Sequence, residues 1–215
     1  MEGSKDNINK IFIATIYIYF LTGVLWHLLP VTKNIVIKLT PYGLAILSLT
    51  IFLFNAKRFN AKTVIWIATV FLFTIIVEII GVNTALVFGD YVYSDVLGFK
   101  LFGVPLIIGL NWTIIILGLV SLTDNLVSTN IIFHSILIGA FAVLFDIILE
   151  PVALKLNYWE WETLSIPFKN YLSWFIIAFI LGLAGFKIKA KFSSRYILHY
   201  IFAQFLFLCL LNLFL

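Results

Sequence analysis

Three carboxylates, Glu78, Asp146 and Glu150, fall at the ends of two long apolar runs, and that position limits the chemistry open to them. A charged acid at the centre of a membrane helix costs about 2.5 to 3.5 kcal/mol on insertion scales, and less near the interface. Each acid also faces the negative end of its own helix, so burial and helix dipole both favour the neutral form. Buried neutral acids suit proton transfer, whether in general acid–base catalysis or in a relay. Asp146 and Glu150 are four residues apart and share one helix face. The competing reading is a carboxylate that snorkels to the interface or is hydrogen-bonded to a neighbouring helix for assembly.

Around these acids the sequence gathers Tyr91, Tyr93, Trp112, Tyr158, Trp159, Trp161 and Trp174. Alone they would be an interfacial aromatic belt; beside neutral acids, ring faces can steady a cation in a site that excludes water. Asp90 and Asp95 in the same stretch add two further candidate catalytic carboxylates. Asn83 and Asn111 flank it and could orient a water or a carboxyl group, although hydrogen bonding between helices explains them as well.

The elements that must position these residues are membrane helices. Hydrophobic residues make up 63% of the 215-residue chain and charged residues 11%, against about 25% charged in a soluble domain. The mean hydropathy is +1.12. Seven apolar segments approach the ~20 residues of a spanning helix: Ile11 to Leu29, Ile35 to Phe54, Thr63 to Ile80, Val104 to Leu122, Ile131 to Leu149, Tyr171 to Phe186 and Tyr196 to Leu215. The expected fold is a single all-α polytopic membrane domain over 1–215. The leader MEGSKDNINK mixes acids with bases and no small-residue cleavage site follows, so the first segment is expected to remain as a helix.

Basic residues predict the orientation. With the N-terminus cytoplasmic, that side carries Lys5, Lys10, Lys57, Arg58, Lys62, Lys187, Lys189, Lys191 and Arg195, nine against Lys33, Lys38, Lys100, Lys155 and Lys169, five. These charges read as topology determinants and form no patch for nucleic acid. The same parity sends the two long connections, after the third and fifth helices, to one non-cytoplasmic face. Those connections resemble each other. Tyr91-Val92-Tyr93, Gly103-Val104-Pro105 and Leu110-Asn111-Trp112 are echoed by Trp159-Glu160-Trp161, Ser165-Ile166-Pro167 and Leu172-Ser173-Trp174. A parallel repeat of helices 3-4 and 5-6 would produce this, and so in part would interfacial aromatics and helix-starting prolines.

Several classes find no support. The lone Cys209 gives neither a disulfide framework nor a thiol metal site. His27, His134 and His199 lack paired ligand spacing, so no metal is expected. No phosphate loop, dinucleotide fingerprint or G-x-S-x-G is present. Lys33 and Lys38 with Thr40 and Pro41 read as a loop and helix start.

Glu78-Ile-Ile-Gly81, Phe88-Gly89-x-Tyr91-x-Tyr93, Gly103-Val-Pro105 and Asn111-Trp112, then Asp146-x-x-x-Glu150-Pro151, Trp159-x-Trp161 and Ile166-Pro167, form a set. Over roughly residues 63 to 175 it resembles the carotenoid biosynthesis membrane-protein family that includes the carotenoid 1,2-hydratases, such as γ-carotene 1′,2′-hydratase and bisanhydrobacterioruberin hydratase. The chain departs from the family pattern at Ser165, where a Gly is expected, and at Lys169-Asn170-Tyr171, where an Asn-Phe is expected.

The resemblance implies addition of water across the terminal 1,2 double bond of an acyclic carotenoid end, leaving a tertiary alcohol. The substrate would be a membrane-dissolved carotenoid such as γ-carotene or lycopene, in a bacterial cytoplasmic membrane, with no redox cofactor. Protonation of the less substituted carbon gives a tertiary cation that water captures. Glu78 and Asp146 are then expected as proton donor and water-positioning base. Tyr91, Tyr93, Trp159 and Trp161 would line the cation pocket, and Asn83 or Asn111 would orient the water. The nearest rival is a lycopene-cyclase-like isomerase sharing the cation; others are a transporter or a pigment-holding subunit. A retinal receptor is disfavoured, because no Lys follows Arg195 in the last helix.

Overall fold

In the computed structural model, which describes residues 2–126, 130–163, 165–190 and 193–215, the seven apolar segments are seven helices. They are α1 (Glu2–Leu28), α2 (Pro30–Asn55), α3 (Ala61–Thr84), α4 (Leu106–Leu126), α5 (Ile131–Lys155), α6 (Phe168–Lys187) and α7 (Arg195–Phe214). All seven are long and apolar enough to cross a bilayer. Of the basic residues used to orient the chain, Lys191 lies outside the described residues.

Starts are set locally where the sequence offers a cap. The Asn60 side chain accepts from Thr63 N at 2.8 Å ahead of α3, and Asn130 accepts from Ile132 N at 2.9 Å ahead of α5. Helix α6 follows Pro167, whose fixed φ suits a helix entrance.

One expectation is corrected. Lys33, Lys38, Thr40 and Pro41 are not a loop and helix start but lie within α2, which begins at Pro30. Pro30 at the first turn gives up no intrahelical bond, whereas Pro41 in the interior removes one. The neighbouring Thr40 hydroxyl donates to Val36 O at 2.7 Å, the kind of local side-chain bond that accompanies proline in membrane helices.

Helix α4 is the axis of the bundle. In its most apolar window 78% of residues are buried within the protein, against 28–44% for the other six. It contacts α2, α3, α5, α6 and α7, while α5 and α6 pack against each other most extensively. Side chains such as Ile114, Ile115, Ile116 and Leu117 are fully buried around its whole circumference, as a central helix requires.

The long connections meet at one end of the bundle. Each contributes a three-residue strand, β1 (Tyr91–Tyr93) and, as the last of four, β4 (Trp159–Trp161). They pair antiparallel with Tyr91 opposite Trp161, Val92 opposite Glu160 and Tyr93 opposite Trp159. Between β1 and α4 a hairpin of β2 (Lys100–Leu101) and β3 (Val104–Pro105) turns at Phe102 and Gly103, whose φ values of 48° and 88° fit a two-residue primed turn. Helix α4 therefore starts at Leu106, two residues later than its hydropathy suggests, because Val104 and Pro105 belong to that strand.

Candidate active site

Pleating explains how the ribbon is oriented. Alternate residues of a strand face opposite ways, so Tyr91, Tyr93, Trp159 and Trp161 are buried while Val92 and Glu160 between them are exposed. The four inward rings reach the carboxylates below. Tyr91 and Tyr93 hydroxyls both donate to Glu78 Oε2, at 2.5 and 2.8 Å. Trp159 and Trp161 Nε1 both donate to Glu150 Oε2, each at 3.0 Å. Burial first, and the Glu78 carboxylate second, hold both phenols well above their ordinary 10.0, so they remain donors.

Each hairpin thus fastens its own aromatic-x-aromatic pair to its own glutamate, and the symmetric register of the ribbon is what two like hairpins related by a local two-fold would give. The Leu-x-Trp tryptophans follow suit: Trp112 and Trp174 stack on each other with centroids 3.6 Å apart and planes at 17°.

The halves differ at two positions that matter. Four residues before Glu150 stands Asp146, but four before Glu78 stands Thr74. Three residues after Pro167 stands Asn170, but three after Pro105 stands Ile108. Asn170 Nδ2 donates to Asp146 Oδ2 at 2.6 Å and to Glu150 Oε1 at 3.3 Å, tying the acids of one helix face together. Glu150 therefore accepts three N–H donors. Among the described residues Asp146 accepts only the one from Asn170, leaving Oδ1 unengaged.

Glu78, Asp146 and Glu150 are 2%, 2% and 3% exposed. They line one cavity of about 30 Å³ together with the ribbon rings, Asn111, Trp112, Asn170 and Trp174. That volume holds one water, given a polar lining. The remaining lining residues are Ile108 and Leu149, and Leu149 is the only one not buried.

Glu78, Asp146, Glu150, Tyr91, Tyr93, Asn111, Trp112, Trp159 and Trp161 are thus brought together. Asp90, Asp95 and Asn83 lie elsewhere, and none of them lines the chamber. Asp90 is exposed beside Glu162, whose carboxyl it holds above its usual range. Asp95 is exposed and paired with Lys100 Nζ at 2.6 Å; the same ammonium donates to Tyr93 O at 2.7 Å. Asn83 donates to Ile79 O and Phe102 O, closing the end of α3 against the hairpin. Tyr158 is buried but outside the lining.

Two residues escaped the sequence reading. Asn170 stood there only as a departure from a motif, and Gln204 of α7, whose Nε2 donates to Asn111 Oδ1 at 2.7 Å, lay in a featureless apolar run.

Two tests follow from this placement. Lys100 holds the Asp95 carboxyl below its ordinary 3.8, a contribution present above that pH and lost as pH falls through the lowered value. Because the Asp95 side chain is solvent-exposed, Asp95→Asn is expected to leave activity within twofold of wild type; a large loss would return Asp95 to the site. At Gly81 an added Cβ would stand 2.5 Å from the Phe88 ring and 3.5 Å from the Tyr91 hydroxyl. Gly81→Ala should therefore overpack the ring against the ribbon, at a cost of about 1–3 kcal/mol, read as a lower thermal midpoint in detergent. An unchanged midpoint would mean that Phe88 shifts freely.

Fold and site together define a multi-pass α-helical membrane protein that keeps three buried carboxylates around one small cavity at one end of its bundle. Its family is equally plain. The carotenoid biosynthesis protein family model matches residues 38–215, and the chain belongs to that family, which places it in carotenoid metabolism. The match runs well beyond the motifs, taking in most of α2 and all of α7 and leaving out α1. Searches of curated proteins and of solved structures gave no match.

Proposed function

We propose that the protein is a carotenoid hydratase, adding water to the terminal double bond of an acyclic carotenoid end. The observation that carries this reading is a water-sized cavity walled by carboxylates and aromatic rings at the end of a lipid-embedded bundle. A cyclase needs a proton and a cation site but no water beside them; a hydratase needs all three.

In this scheme Asp146 is the proton donor. Its Oδ1 is unengaged, and neither it nor Asn170 has a counterpart in the first half. The alkene π electrons take the Asp146 proton at the less substituted carbon, leaving a tertiary cation and a carboxylate. Water attacks the cation, and Glu78, through the oxygen its tyrosines do not occupy, receives the proton released. Return of that proton to Asp146 closes the cycle, with alkene and water consumed and one tertiary alcohol formed. Glu150, held by three N–H donors, keeps its carboxyl oxygens fixed as dipoles beside the cation.

The chamber holds a water but not a branched isoprenoid end. The polyene is therefore taken to arrive through the bilayer and to displace Leu149, the one lining side chain in partial contact with the exterior. The experiment is expression in bacteria that accumulate lycopene or γ-carotene. A product heavier by one water is expected, and an isomer of unchanged mass would favour the cyclase.

A further inference from the structure

Helix α7 carries one amide in its buried middle, Gln204, which is 4% exposed. Its Nε2 donates to Asn111 Oδ1 on the central helix, while its own Oε1 is buried without a hydrogen-bond partner. Buried unsatisfied acceptors destabilise; replacing both amides by apolar side chains would remove the penalty, whereas replacing Gln204 alone passes it to Asn111 Oδ1. Stability therefore does not account for the amide pair, and what the bond does set is the orientation of the Asn111 amide.

Asn111 lines the chamber. An asparagine amide presents a donor on one side and an acceptor on the other, and turning it over exchanges the two. With its carbonyl held by Gln204, Asn111 has its Nδ2 group left over, and among the described residues nothing else bonds that group. An N–H facing the chamber occupies one lone pair of a water there. The water's two O–H groups are then free for carboxylates and its second lone pair for an electrophile. The flipped amide would instead compete with the carboxylates for the water's protons.

We infer that Gln204 is a positioning residue: it locks the Asn111 amide so that its N–H holds the attacking water. This rests on the hydratase reading and deepens it, giving α7 a part in the reaction. The proton donor and the base are untouched by it.

The test compares purified wild type, Gln204→Met and Gln204→Glu on a lycopene-type substrate in detergent or lipid. Methionine matches the length of glutamine without its hydrogen bond; a glutamic acid can still donate to Asn111. For Gln204→Met, kcat is expected to fall by about 100-fold with KM little changed, as for a misplaced reactant, while the thermal midpoint changes little, because relief of the unpartnered Gln204 Oε1 offsets the donor that Asn111 loses. Gln204→Glu should recover most of the lost kcat. Adding Gln204→Met to an Asn111→Ala background should cost little more, because both act on one water.

Full kcat in the methionine variant, a loss of kcat only in step with a lost thermal midpoint, or independent costs for the two positions would each overturn the inference. Failure of the wild type to hydrate anything is a separate result. It would remove the hydratase reading and this inference with it.

Discussion

Asp146→Asn is expected to remove hydration, lowering it by about 100- to 10,000-fold, the range associated with a lost general acid, while the protein still inserts and folds. The amide keeps the size of the side chain, and its Oδ1 can still accept from Asn170 Nδ2, so the tie across the α5–α6 pair survives. What disappears is a proton that can be given to an alkene. The comparison is made on protein purified from membranes, with product measured by chromatography and folding by thermal midpoint. Activity near wild type would remove Asp146 from the role of acid and direct attention to Glu78.

Glu78→Gln is the second large effect, and its partner variant separates catalysis from closure. Glutamine Oε1 can accept both phenol hydroxyls that now bond Glu78 Oε2, so the ribbon stays fastened while the base is lost. Hydration should fall by about 100-fold or more at an unchanged midpoint. Glu78→Leu removes the acceptor as well and leaves two buried phenols unsatisfied, at about 1–3 kcal/mol each. That variant should be both inactive and clearly less stable. Equal stability of the two would mean that the tyrosine bonds do not hold the ribbon down.

These expectations could be framed only in part from the sequence. Seven spans are plain from length and apolarity, since an uninterrupted run near twenty residues has few alternatives. The convergence of Glu78 with Asp146 and Glu150 is also legible, because both long connections leave from helices of the same parity and repeat one pattern. The ribbon is not, since three-residue strands carry too little alternation to separate them from loop.

Once the ribbon is known, alternation sorts its neighbours. Tyr91 and Tyr93 point in, and Val92 points out to solvent with Asp90, which is why nearness in sequence misplaces that acid. Asn170 and Gln204 were hidden for another reason: a lone amide in an apolar helix has the same appearance whether it joins helices or aims a reactant. The α2 misreading was of a third kind, in which polar residues around Pro41 imitated a helix start inside a helix.

The central claim is that water admitted to this chamber is added to a carbocation formed there. Incubating purified protein and an acyclic carotenoid in heavy-oxygen water, and separately in deuterium oxide, tests it most directly. The account predicts one heavy oxygen on the tertiary carbon and one deuterium on the carbon beside it, both absent with Asp146→Asn. A product carrying deuterium but no heavy oxygen, or substrate returned unlabelled, would contradict it.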